Sequence, residues 1–78
     1  MNTDKLISSF AEALNIKHDI INDSLLYQGI PEWDSVSHMI LISQIEEDFD
    51  VSIDTEDVID MSSFSKAKEI LTKMGVEF

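Results

Sequence analysis

The chain has 78 residues, 44% of them apolar, with no cysteine and a net charge of −11. This is enough sequence for one small domain, too little for a deep catalytic cleft with its own supporting shell, and too apolar for a disordered tail. Disulfides, thiolate metal sites and Cys nucleophiles are excluded together, and so acidic a surface repels nucleic-acid backbones and anionic lipid while attracting basic protein surfaces.

From residue 4 to residue 14 the chain places Leu6, Ile7, Phe10, Ala13 and Leu14 at spacings of three and four, one apolar stripe of a helix. Asn2 or Thr3 is the expected N-cap and Asn15 the stop. The opening Met1-Asn2-Thr3-Asp4 carries no basic, apolar leader, and no apolar run is long enough to span a bilayer. A cytoplasmic, monomeric protein, with residues 1–78 forming one domain, is the expectation.

Residues 16–33 show no sustained period and hold the turn formers Asn22, Asp23, Ser24, Gly29 and Pro31. Ile20, Ile21, Leu25, Leu26 and Tyr27 are expected to pin this long loop to the core, with a short helical turn near residues 23–26. A loop of that length in so small a domain is often functional.

The clearest helix follows, over residues 35–49. Asp34 is a good N-cap, and Pro31 keeps the residues before it extended. Leu41, Ile42, Ile45 and Phe49 share one side, while Val36, Met39 and Ile40 widen the apolar surface beyond one buried stripe. Glu46, Glu47 and Asp48 crowd the last turn, where acids oppose the helix dipole, so helix stability alone does not explain them.

Val51-Ser52-Ile53 alternates briefly but has no partner strand, and reads as a loop that inserts Val51 and Ile53 into the core. Asp54 or Thr55 caps a short helix through Asp60, with Val58, Ile59 and Met61 expected to turn inward. A last helix runs from Phe64 to about Met74, with Gly75 as its stop. The fold class is therefore all-α: a small four-helix bundle of three longer helices and one short helix, with a long loop between the first two.

Charge is segregated along this order. Residues 19–60 hold twelve of the sixteen acids and none of the five lysines. Asp48, Asp50, Ser52 and Asp54 have the first four spacings of a calcium loop, but Ile53 stands where glycine is needed and Ile59 where the closing glutamate is needed. No metal site is expected.

The run Asp34-Ser35-Val36, then Met39, Leu41 and Ile42, then Ile45-Glu46-Glu47-Asp48-Phe49, resembles the acyl carrier and peptidyl carrier proteins. In that family an Asp-Ser-Leu triplet opens the second helix, which closes on a Leu-Glu-Glu-x-Phe-like end. The likeness extends to Ile53 and Asp57-Val58, and to Ser63-Phe64, where the family has Thr-Val. It implies that Ser35 receives 4'-phosphopantetheine from coenzyme A through a magnesium-dependent phosphopantetheinyl transferase, with Asp34 helping to hold the transferase's metal. The thiol of the arm would carry an acyl or aminoacyl thioester between enzymes of fatty acid, polyketide or other specialised biosynthesis, without the chain being an enzyme. Val36, Met39, Ile40, Glu46 and Glu47 would meet the partners, a loading ligase and downstream synthases or transferases with basic patches.

Val36 departs from the family's Leu, and Trp33 and Glu32 stand where Ala and Gly are frequent. A Pro-x-Trp-Asp-Ser entry is similar to stand-alone carriers of specialised pathways, which leaves the cargo open, a D-alanyl group included. Three other readings stand beside the carrier. Ser35 is a plain helix cap, or a nucleophile activated by His38 one turn on, or part of an acidic interaction domain without a prosthetic group.

Overall fold

The computed structural model of the protein describes residues 2–78. The spacing of Leu6, Phe10 and Leu14 becomes the buried stripe of α1 (Asn2–Leu14), and Leu41, Ile42 and Ile45 form that of α2 (Ser35–Phe49). These two helices pack extensively on each other. α3 (Thr55–Asp60) is short, and α4 (Phe64–Lys73) closes the bundle with Phe64, Ala67, Ile70 and Leu71 buried. Among the described residues there is no strand, only a single antiparallel bridge between Leu26 and Ser63.

The three long helices stop by one device. A residue in the left-handed region follows each of them: Asn15 (φ 55°), Asp50 (φ 53°) and Gly75 (φ 101°). The next N–H then returns to the helix, Ile16 to Ala11 O, Val51 to Glu46 O and Val76 to Leu71 O. This is the Schellman arrangement, and the apolar residue that ends it packs on the core in every case.

At the other end of α1, Asn2 is already helical, so neither Asn2 nor Thr3 caps it, and the residue before lies outside the described residues. Asn2 Nδ2 donates instead to the Glu77 carbonyl at 2.8 Å, tying the start of α1 to the C-terminal segment. α3 and α4 follow the sequence more closely: Asp54 stands at the N-cap of α3, and Ser63 caps α4 by accepting the Lys66 N–H at 2.9 Å.

The long loop departs from expectation in three places. Its helical turn is a 3₁₀ turn at His18–Ile20, while residues 22–25 form a hydrogen-bonded turn in which Asn22 Oδ1 accepts the Ser24 N–H. Ile20 and Leu26 are exposed where they were expected to be pins. Ile21 and Leu25 do that work, helped by backbone bonds from Tyr27 N–H to Ser62 O and from Phe64 N–H to Leu25 O. Leu26 lies between those bonds, so its backbone is held while its side chain faces out. The third helix carries a further correction: Ile59, expected to turn inward, is 78% exposed. Six residues make under two turns, and Val58 and Met61 already occupy the inner side.

Two of the three acids that end α2 have structural work. Glu46 Oε2 accepts the Ile53 N–H at 2.8 Å, holding the loop that inserts Ile53 into the core. Asp48 accepts from Gln44 and from the hydroxyl of Ser9, a fully buried serine on α1. Glu47 remains exposed with no such bond. Glu46→Ala orphans a part-buried N–H that had a charged acceptor, so it is expected to cost about 1–2 kcal/mol in denaturant unfolding. Glu47→Ala is expected to stay within about 0.5 kcal/mol of wild type.

Candidate functional site

The site is built where the long loop enters α2. Trp33 is fully buried, its ring meeting Phe10 edge-to-face at 5.3 Å. The loop around it is tied by Gln28 N–H to Trp33 O and by Trp33 N–H to Ile30 O. With the indole anchored, Asp34 adopts an extended backbone as N-cap and its carboxylate accepts the Ser37 N–H at 2.9 Å. Ser35 comes next, as the first residue of α2, and it is exposed. It is therefore not the cap, and the plain helix-cap reading of Ser35 falls to its neighbour.

The bond from the Ser37 backbone holds the Asp34 carboxyl below the ordinary aspartate range. A depressed folded value means that the cap contributes fully above the unfolded value and is lost as pH falls through the lower, folded one. Asp34→Ala is thus expected to lower Tm by a few degrees at neutral pH, with the difference from wild type vanishing in strong acid.

His38, one turn after Ser35, is occupied on both ring nitrogens. Trp33 Nε1–H donates to Nδ1 at 2.9 Å; since indole can only donate, Nδ1 is bare and Nε2 carries the proton. Nε2–H then donates to the Val58 carbonyl at 2.8 Å. The imidazole lies nearly in plane with Trp33, edge to edge across this bond, and tilts against Tyr27. A ring committed on both sides has no nitrogen with which to activate Ser35, so the hydrolytic pair has no geometric support.

Between α2 and α3 lies an apolar cavity of about 310 Å³, lined by Tyr27, His38, Met39, Val58, Ile59 and Met61 together with Ser35. Around it Val36, Met39, Ile40 and Ile59 are 70%, 56%, 52% and 78% exposed. Glu47 is exposed further down α2, while Glu46 is half-buried with its carboxylate on the Ile53 N–H. Among the described residues, no ion pair falls on Val36, Met39, Ile40, Glu47 or Ile59. Lys66 pairs with Asp60 and Glu69, Lys68 with Asp23 and Lys73 with Asp57, all about α4 and its neighbours. The bond to Asp57 holds the Lys73 ammonium above its ordinary value.

An exposed serine on the first turn of a helix, behind an anchored tryptophan and beside an acidic, apolar-centred face, has one further correspondence. The family model described as the phosphopantetheine attachment site matches residues 4–71. The chain belongs to this family. No curated protein and no solved structure matches it.

Members of the phosphopantetheine family carry the 4'-phosphopantetheine arm covalently, are not themselves catalytic, and work with phosphopantetheinyl transferases and biosynthetic enzymes. The residues present suit such an arm. The first N–H groups of a helix lack intrahelical acceptors and the helix dipole is positive there, so a phosphodiester on the Ser35 oxygen is favoured. No helix among the described residues is long and apolar enough to cross a membrane.

Sequence reasoning placed Asp34, Ser35 and the exposed residues of α2 together, and they are together. It missed Ile59 as part of the outer face, and it missed the tie from Trp33 through His38 to Val58. The five-residue separation of an indole N–H and an imidazole across a helix start was the available signal.

Proposed function

We propose that Ser35 is the attachment residue, and that residues 1–78 act as a single carrier domain presenting an acyl or aminoacyl thioester to its partners. The observation that carries this reading is the exposed hydroxyl at the first position of α2, inside the span matched to the attachment-site family. When bound, the arm supplies a thiol that holds the cargo as a thioester. The chain's own residues position and recognise. Trp33 fixes the entry to α2, and Asp34, held anionic beside Ser35, offers a carboxylate to the transferase's magnesium. Val36, Met39, Ile40 and Ile59 supply an apolar centre, and Glu46 and Glu47 its acidic border, which fits basic partner patches in a fatty acid, polyketide or other specialised route.

Incubation with coenzyme A, Mg2+ and a broad-range phosphopantetheinyl transferase, read by intact mass, tests the reading. One phosphopantetheine per chain is expected. A chain left unmodified by several such transferases would remove the assignment of Ser35.

A further inference from the structure

α3 has six residues, and none of them belongs to the buried core. Isolated helices shorter than about 12–15 residues are marginal in water, so its place depends on what its neighbours hold. Its N-cap residue, Asp54, makes no side-chain capping bond. The last carbonyls of a helix have no partner within it, and in α3 these include Val58 and Asp60. The Asp60 carbonyl accepts the Ser62 N–H at 2.8 Å. The Val58 carbonyl is satisfied from another helix, by His38 Nε2–H of α2 at 2.8 Å. That proton sits on Nε2 because the Trp33 indole N–H, at 2.9 Å, keeps Nδ1 as an acceptor. Asp57 and Asp60 pair with Lys73 and Lys66, which ties α3 to α4. Among the described residues, no other hydrogen bond or ion pair joins α3 to α2. Yet these two helices share the exposed apolar face beside Ser35, with Val36, Met39 and Ile40 on α2 and Ile59 on α3.

We infer that His38 is a positioning residue for the transfer of the arm: it caps the C-terminal end of α3 from α2 and so holds Ile59 beside Met39 and Ile40. A phosphopantetheinyl transferase then meets both helices as one surface. The occupant follows from place, since an enzyme that reaches the Ser35 hydroxyl covers the residues around it. This inference deepens the proposed function and rests on Ser35 being the attachment residue. His38 does no chemistry on Ser35, because both its nitrogens are engaged. It acts through Val58, and hence through where the next residue, Ile59, is presented. Without the cap, the Val58 carbonyl finds a partner only by turning toward water, which carries α3 and Ile59 away from α2.

The test measures kcat and KM of a broad-range phosphopantetheinyl transferase, with this protein as the varied substrate, coenzyme A saturating, and folding checked by circular dichroism. Ile59→Ala is expected to raise KM roughly three- to tenfold with kcat within about twofold of wild type, as loss of a docking contact does. His38→Asn keeps an oxygen near the place of Nδ1 to accept from Trp33, but its side chain is too short to reach Val58. It is expected to raise KM by a similar factor. When both changes are combined, KM should rise no further than in His38→Asn alone, the mark of one residue acting through the other. His38→Gln reaches as far as Nε2 with an amide N–H, restores the cap, and is expected to stay within about twofold of wild type. A role confined to core stability would not separate the two amides in KM. Should His38→Asn fail to fold, His38→Leu, which fills similar space without a donor, is read in the same way. A wild-type KM in Ile59→Ala or in the uncapped variant, effects that multiply in the double variant, a fall in kcat alone, or a glutamine variant no better than the uncapped one would each overturn the inference. Absence of any added mass in the wild type is a different failure: it shows before kinetics are compared, and it overturns the Ser35 reading together with this one.

Discussion

Ser35→Ala is expected to reduce the transferase-dependent mass gain from one phosphopantetheine per chain to none. The change deletes the nucleophilic oxygen and almost nothing else. Ser35 is the first residue of α2 and exposed, its hydroxyl makes no hydrogen bond among the described residues, and alanine is the best helix former. Unfolding of the variant should therefore stay within about 0.5 kcal/mol of wild type, so a lost gain reports chemistry and not a lost fold. Ser37 is the natural control. It lies two residues on, half-buried, and its backbone N–H already serves the Asp34 cap. Ser37→Ala should leave the gain intact. Full modification of the Ser35→Ala protein would mean that the arm resides elsewhere.

Trp33→Ala is expected to cost about 3–5 kcal/mol, measured by denaturant unfolding. The indole is fully buried, meets Phe10 and Tyr27 edge-to-face, and donates to His38. Truncation leaves a cavity and an imidazole nitrogen without its donor. Against a total stability of about 5–15 kcal/mol for a domain, and less in one this small, much of the chain should unfold at room temperature. Its consequences reach the site, because Trp33 is two residues before Ser35 and ties the loop to both α2 and α3. A loss under about 1 kcal/mol would show that the indole is not the anchor described here.

The two variants probe two adjacent duties. One residue is driven inward and the second after it is left outside, with Asp34 turning the chain between them. A large buried aromatic thus holds a small exposed hydroxyl in place, and under the proposed function a transferase would meet the same helix start in every molecule. The acidity of the neighbouring face follows from where the lysines went. Three of the five pair with acids about α4, α3 and the loop, far along the chain from the start of α2. Such surface pairs, partly exposed, add only about 0–1 kcal/mol each, and among the described residues none of them involves an acid of α2.

Apolar spacing and breaker residues were enough to read four helices, three longer and one short, the long loop and a serine at the start of α2. These are local properties: a period of 3.6, an N-cap, a stop by Asn or Gly. Periodicity says which residues share a side, and it also separated Val36, Met39 and Ile40 from the buried stripe. What depends on contact between distant residues was decided by tertiary structure. Ile59 faces out because Val58 and Met61 filled the inner side of a helix under two turns long. Glu46 and Asp48, placed where acids oppose the dipole of their own helix, bind Ile53 and Ser9 once the bundle closes. His38, which sequence spacing places beside Ser35, is committed to Trp33 and Val58 instead, since a half-buried imidazole satisfies both nitrogens with whatever partners the packing brings.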